Sequence, residues 1–302
     1  MKANTIKEML TGVFPPMMTP FREDQTLDVE ALAYNVEIYN RTDIRGLMPL
    51  GSNGEFRALD DVESLEVVKT VKKFLRPDKT LMVGAGRESS YQTVAFAKKV
   101  ADAGADFISL LTPFYFKSRM TDDALLGFYT YVADRSPLPV LVYNAPKFTG
   151  GLTVSPEVIG KLADHPNIVG MKDTSSEPIS VYTEAAKGKD FYVLAGTIKK
   201  YTDALRNGGV GGVLSAANYL PQPCCEIQKL WDKGKLGEAE ALSDTLKELT
   251  NVCSGKTGIP GTKACMSVAG FHGGFPRLPL TPVGEDEVAH IREELVKAGY
   301  LK

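Results

Sequence analysis

Between residues 13 and 217 the chain alternates short apolar runs with longer amphipathic ones, and it does so eight times. A short apolar run without polar alternation is the pattern of a strand buried on both faces. A helical period between two such runs supplies the crossover that parallel strands need. The strand candidates are 13–21, 46–52, 81–86, 107–113, 139–145, 168–174, 192–197 and 211–217. Asp28 caps a first helix carrying Val29, Leu32, Val36 and Tyr39. A second runs from about residue 54 or 60 to 75, with Val62, Leu65, Val68 and Val71 on one face. Further helical periods cover 93–103, 122–133, 177–187 and 200–207, and Ser155-Pro156-Glu157 opens another with a cap residue and a proline behind it. Eight βα units predict an α/β fold of the TIM (β/α)8 barrel type rather than an open doubly wound sheet. No Gly-x-Gly-x-x-Gly follows the first run, which argues against a dinucleotide fold. Beyond residue 220 the strand pattern stops, and helical stretches follow at 221–233, 235–254, 260–270 and 285–298. The expected division is a barrel catalytic domain over 1–220, then a barrel-closing helix and C-terminal helical extension over 221–302.

Charge and composition exclude several function classes. A formal charge of −2 without Lys/Arg clusters offers no surface for nucleic acid, and the near balance gives no electrostatic hint of a partner. The four cysteines, Cys224, Cys225, Cys253 and Cys265, lack CxxC spacing and read as buried free thiols. His165, His272 and His290 are scattered without an HxH or HExxH pattern, which disfavours a metal-dependent mechanism. The first ten residues include Glu8 and no long apolar core, so neither a secretory signal nor a membrane span is read there. A cytoplasmic enzyme is the expectation, with no membrane partner.

In a barrel of this kind the chemistry sits at the C-terminal ends of the strands. The sixth run, Ile168-Val-Gly-Met-Lys-Asp-Thr174, places Lys172 where burial should be deepest. A buried lysine either finds a carboxylate or loses its charge, and the neutral amine is the nucleophile that Schiff-base chemistry on a ketone requires. The strand alone leaves both outcomes open. The second run ends in Gly51-Ser-Asn-Gly-Glu55, where Ser52 and Glu55 have capping-box spacing and the backbone N–H groups of a helix start could bind a carboxylate. Tyr143 ends the fifth run, and Thr112-Pro-Phe-Tyr-Phe116 forms an aromatic loop after the fourth. Either is compatible with packing or an interface as well as with chemistry. Gly208-Gly-Val-Gly-Gly-Val213 reads as close packing rather than a phosphate loop, since no lysine or arginine accompanies it.

As an ordered set these stretches resemble the pyruvate-dependent class I aldolase family of dihydrodipicolinate synthase and N-acetylneuraminate lyase. The features carrying the resemblance are Gly51-Ser-Asn-Gly-Glu55, Thr112-Pro-Phe-Tyr115, Tyr143-Asn-x-Pro146, Gly170-Met-Lys-Asp173 and Gly212-Val213, which span nearly the whole chain. The resemblance implies that Lys172 forms the imine with pyruvate, with no cofactor beyond that covalent link. It implies that Tyr143 shuttles protons through Ser52 and a Tyr115 borrowed from a neighbouring subunit, in a dimer-of-dimers homotetramer. Ser52 and Asn53 would hold the pyruvate carboxylate, with Gly51, Val213, Thr174 and Gly196 completing the substrate-binding set. A phenol with an ordinary pKa of ~10 needs such a relay to act as acid and base.

One departure bears on the substrate. The synthases carry an arginine two residues after Tyr-Asn-x-Pro, whereas Phe148 stands here. Without that guanidinium a bidentate carboxylate contact is lost, and aspartate semialdehyde should bind poorly. Ser52-Asn53, the stretch from Thr112 to Met120, His165 to Lys172 and Phe191 to Gly196 resemble the 4-hydroxy-2-oxoglutarate aldolase branch. The favoured expectation is cleavage of 4-hydroxy-2-oxoglutarate to pyruvate and glyoxylate. The alternatives are dihydrodipicolinate synthase, a 2-keto-3-deoxy sugar-acid aldolase or dehydratase using the same imine, and a non-catalytic binding protein on the same barrel.

Overall fold

The computed structural model describes residues 5–301, so the cytoplasmic reading of the N-terminal stretch rests partly on residues outside the described ones. The eight strands are β1 (Gly12–Phe14), β2 (Gly46–Leu47), β3 (Thr80–Gly84), β4 (Phe107–Leu111), β5 (Val140–Asn144), β6 (Ile168–Asp173), β7 (Tyr192–Ala195) and β8 (Gly211–Val213). They form one sheet in the order β1-β8-β7-β6-β5-β4-β3-β2. The ladders from β3 to β8 are all parallel. The backbone N–H of Arg45 donates to the Val13 carbonyl at 2.9 Å, linking the segments at the two ends of that order. Consecutive neighbours with the last strand returning to the first is the topology of a TIM (β/α)8 barrel.

The helices are α1 (Ile6–Leu10), α2 (Val29–Asn40), α3 (Asp61–Phe74), α4 (Ser90–Asp102), α5 (Asp122–Ala133), α6 (Pro156–Leu162), α7 (Ile179–Ala185) and α8 (Tyr201–Arg206), followed by α9 (Pro221–Asp232), α10 (Leu236–Cys253), α11 (Ile259–Val268) and α12 (Glu285–Lys297). Local chemistry sets several starts. Asp28 accepts the Ala31 N–H, and Ser155 accepts that of Val158 with Pro156 behind it. Asp60 and Glu63 form a reciprocal capping box at α3.

Several expectations change, among them the eighth strand, which spans Gly211–Val213 and gives way to a 3-10 turn at Ser215–Asn218. β1 spans three residues, because Pro15, Pro16 and Pro20 carry no N–H for a ladder. β2 spans two, the chain turning away before Ser52. Val62 is 76% exposed, and the buried face of α3 is Ser64, Val67, Val68, Thr70 and Val71. Of the 208–213 glycines, Gly209 and Gly211 pack closely: a Cβ would lie 2.9 Å from the Ala204 carbonyl oxygen at the first and 2.2 Å from the Gly12 carbonyl oxygen at the second.

The chain divides into two units, residues 1–12 with 80–213 and residues 13–79 with 214–302. In the second, the C-terminal helical segment packs on the early helices rather than standing apart. Tyr39 of α2 donates to the Asn218 carbonyl at 2.8 Å, and its ring lies 4.9 Å from that of Phe271. Asn35 and His272 exchange two side chain–backbone hydrogen bonds, both 2.8 Å.

Candidate active site

The expected site residues fall in both units, and each set has its own geometry. In the first unit β5 and β6 pair with Tyr143 opposite Lys172. In-register neighbours on adjacent strands present their side chains to the same face. The Lys172 Nζ accordingly sits 4.1 Å from the Tyr143 ring centroid. Lys172 is 3% exposed and Tyr143 4%. Burial pushes the Lys172 ammonium down to about 7. A cation over an aromatic face gains only about 0.5–2 kcal/mol, too little to oppose that desolvation.

The carboxylate next in sequence serves another lysine. Asp173 is fully buried on the opposite face of β6, where it is ion-paired with Lys200. It also accepts the Asn144 amide at 2.8 Å and the Ser175 N–H at 3.1 Å. Asn144 in turn accepts the Val154 N–H at 3.0 Å and donates to the Tyr182 hydroxyl at 3.0 Å. Strand alternation thus sorts two lysines: Lys200 reaches the carboxylate, while Lys172 stands beside a phenol.

Thr174 and Gly196 meet at the ends of β6 and β7. Thr174 donates to the Asn144 carbonyl through its N–H at 2.9 Å and its hydroxyl at 3.1 Å, and the Gly196 N–H donates to the Asp173 carbonyl at 2.7 Å. A Cβ on Gly196 would lie 2.2 Å from Thr174 Cγ2, so this corner tolerates only glycine. Val213 closes β8 and is fully buried. Tyr115 is not part of the buried pair. Its ring is 76% exposed and stacks edge-on against Phe116, itself 67% exposed, at 5.1 Å. The loop beneath is pinned by Glu88, which accepts the N–H groups of Phe114 and Tyr115 at 3.0 Å each.

In the second unit, Ser52–Gly54 is a 3-10 turn behind Gly51, and a second such turn spans Phe56–Ala58. The Ser52/Glu55 capping box does not form, and of the two helix starts read in the sequence, about 54 or 60, the second holds, with α3 beginning at Asp61 behind its Asp60 cap. The Gly54 and Glu55 N–H groups close the turn onto the Gly51 and Ser52 carbonyls at 3.0 and 3.2 Å. The physical reason is a better partner for Glu55. Its buried carboxylate lies 2.7 Å from Lys263 Nζ and accepts the Arg277 N–H at 2.9 Å, and charge-assisted contacts outweigh a neutral cap. Burial pushes the Lys263 ammonium down to about 8, with Glu55 opposing the shift, so it keeps its proton at neutral pH. Asn53 donates its amide to the Ser215 hydroxyl at 2.7 Å.

Ser215, Lys263 and the Asp173–Lys200 pair were not among the expected residues. Ser215 carried a signal of its own, a hydroxyl after an apolar strand end like that of Ser52. Lys263 stands between Thr262 and Ala264-Cys265-Met266, the same setting of a lysine in an apolar stretch that marks Lys172. Among the described residues no group of three or more His, Cys, Asp and Glu side chains is gathered as metal ligands, and no helix is long and apolar enough to cross a membrane.

Known proteins match this arrangement along its length. The chain is 33% identical over 294 residues to a 4-hydroxy-tetrahydrodipicolinate synthase of Acidiphilium cryptum, covering 97% of this chain and all of the relative. It is 29% identical over 292 residues to a probable mitochondrial 4-hydroxy-2-oxoglutarate aldolase of Emericella nidulans, covering 95% and 94%. The solved structure of a monomeric dihydrodipicolinate synthase variant superposes with a TM-score of 0.91 at 28% identity, covering 99% of this chain and all of that one. Residues 9–298 match the model of the dihydrodipicolinate synthetase family, and the chain belongs to that family of pyruvate-dependent class I aldolases.

Proposed function

We propose that this protein is a carbon–carbon lyase that cleaves a 4-hydroxy-2-oxo acid, with 4-hydroxy-2-oxoglutarate giving pyruvate and glyoxylate. The observation that carries the reading is the buried Lys172 amine, at about 7, against the Tyr143 ring. Lys172 Nζ attacks the C2 ketone, and loss of water gives a protonated imine. Tyr143 takes the C4 hydroxyl proton, the C3–C4 bond breaks, and its electron pair moves into the imine as an enamine. The aldehyde leaves, C3 regains a proton, and hydrolysis frees pyruvate and the lysine. Ser52 and Asn53 hold the C1 carboxylate, with Gly51, Thr174, Gly196 and Val213 shaping its surroundings. Tyr115 extends the proton relay from a neighbouring subunit of a homotetramer, a role that the exposed Tyr115–Phe116 pair supports. A cytoplasmic location goes with this reading, although the Emericella relative is designated mitochondrial.

The substrate assignment rests on Phe148, 41% exposed in the turn after β5. A phenyl ring offers a semialdehyde carboxylate no hydrogen bond. The synthase designation of the Acidiphilium relative favours a second reading, condensation of pyruvate with aspartate semialdehyde. Supplying 4-hydroxy-2-oxoglutarate and following pyruvate with a coupled dehydrogenase separates the two. Pyruvate release well above that seen with competing aldols supports the lyase. Turnover confined to pyruvate plus aspartate semialdehyde assigns the synthase.

The amine's acidity gives a further expectation. With Lys172 at about 7, borohydride-trapped imine formation at subsaturating pyruvate should rise about tenfold per pH unit below 7 and level off above it. A profile still climbing at pH 9 would mean that the lysine keeps its ordinary ammonium character.

A further inference from the structure

The turn carrying Ser52 and Asn53 is bracketed by two non-glycine residues in left-handed backbone conformation, Leu50 at φ 60° and Glu55 at φ 53°. Such conformations persist where surrounding contacts over-determine them, and here the contacts can be named. Thr19 donates its hydroxyl to the Gly54 carbonyl at 2.7 Å. Lys263, on α11, is ion-paired with Glu55 Oε1 at 2.7 Å and donates to the Thr19 carbonyl at 2.8 Å and the Phe275 carbonyl at 2.6 Å. The Glu55 and Lys263 side chains are 3% and 2% exposed. The Arg277 backbone N–H holds the other Glu55 oxygen, while the Arg277 side chain turns away to pair with Glu63 and lies 4.2 Å from the Phe21 ring centroid.

A pair of charges this deeply buried is a poor device for stability alone, since desolvation consumes much of its attraction. It is a good device for fixing one geometry, because each group has a single satisfactory position. We propose that Glu55 and Lys263 are positioning residues that hold Ser52 and Asn53 in register for the carboxylate of the 2-oxo acid. The C-terminal helical segment then sets affinity for the substrate without touching it. This rests on the reading of Ser52 and Asn53 as the carboxylate-holding residues.

The test is borohydride trapping on Lys172 as a function of pyruvate concentration. Glu55→Gln keeps the size and shape of the side chain while removing the charge and turning one of its two acceptor oxygens into an NH2 donor. It should raise the half-saturating pyruvate concentration about tenfold or more, with the rate at saturation within about twofold of wild type. Glu63→Gln, which weakens the outer Arg277 pair, should lower thermal stability and leave half-saturation within about twofold. A folded Glu55→Gln variant with wild-type half-saturation overturns the proposal. So does an equal shift from Glu63→Gln, which would mark general loosening. Should Glu55→Gln fail to fold, amide exchange of the wild type with its reduced pyruvate adduct decides. Protection reaching both 50–58 and 263–277 supports the coupling, and protection confined to 50–58 overturns it. A wild type that takes up no label at all instead removes the Lys172 reading, and the proposal with it.

Discussion

Lys172→Ala is expected to lower turnover by at least about 10⁴-fold, since it removes the nucleophile on which every later bond change depends. The same substitution should leave the fold intact, for a reason visible in the protonation of the site. The folded-state value of about 7 lies below the ordinary lysine value of 10.5. The cost of burying this amine is therefore full below pH 7, declines as pH rises toward 10.5 and vanishes above it. At neutral pH the wild type carries nearly all of that cost. Lys172→Met, which fills the space without the ammonium, should then melt no lower than wild type at pH 7 while showing the same loss of activity. Pyruvate release and thermal unfolding on both variants check this. Residual activity within about tenfold of wild type would take the lysine out of the mechanism.

Tyr143→Phe should reduce kcat by about 10²–10⁴-fold, the usual worth of a positioned acid–base group. The ring that lies under Lys172 Nζ remains, so the apolar setting of the amine is kept. Imine trapping should persist while carbon–carbon cleavage slows. That pattern distinguishes a proton shuttle from a packing residue, whose loss would depress trapping and turnover together. An unchanged kcat would refute the shuttle.

The parts of the molecule legible in the sequence are those whose causes are local. The helix over 122–133 emerges with the expected bounds, and the C-terminal helices fall within a residue or two of expectation at nearly every end, because amphipathic period and breakers coincide there. Lys172 stood out because an apolar strand offers a lysine few reasons to be present. Lys263 carries a similar signal, but its ion-pair partner Glu55 also has the spacing of a local capping residue. Spacing alone does not tell a cap from a buried ion pair; only the tertiary partner does. The proline-rich stretch after β1 reads as strand on its apolar content, yet its prolines donate no N–H, and isolated bonds such as Met17 N–H to the Met48 carbonyl at 3.0 Å take the place of a continuous ladder. Val62 fell on the wrong face because Ser64 and Thr70 also occupy the buried side of α3, and apolar periodicity does not count them.

The contact between Glu55 and the Arg277 backbone joins residues 222 apart in the chain. Synthesis proceeds from the N-terminus, so Glu55 emerges from the ribosome long before Lys263 or Arg277 exists to meet it. Through that interval its carboxylate remains hydrated and the neighbouring turn lacks its clamp. The turn on which 2-oxo acid recognition is proposed to depend thus cannot be completed until the 222 residues from Glu55 to Arg277 have been made.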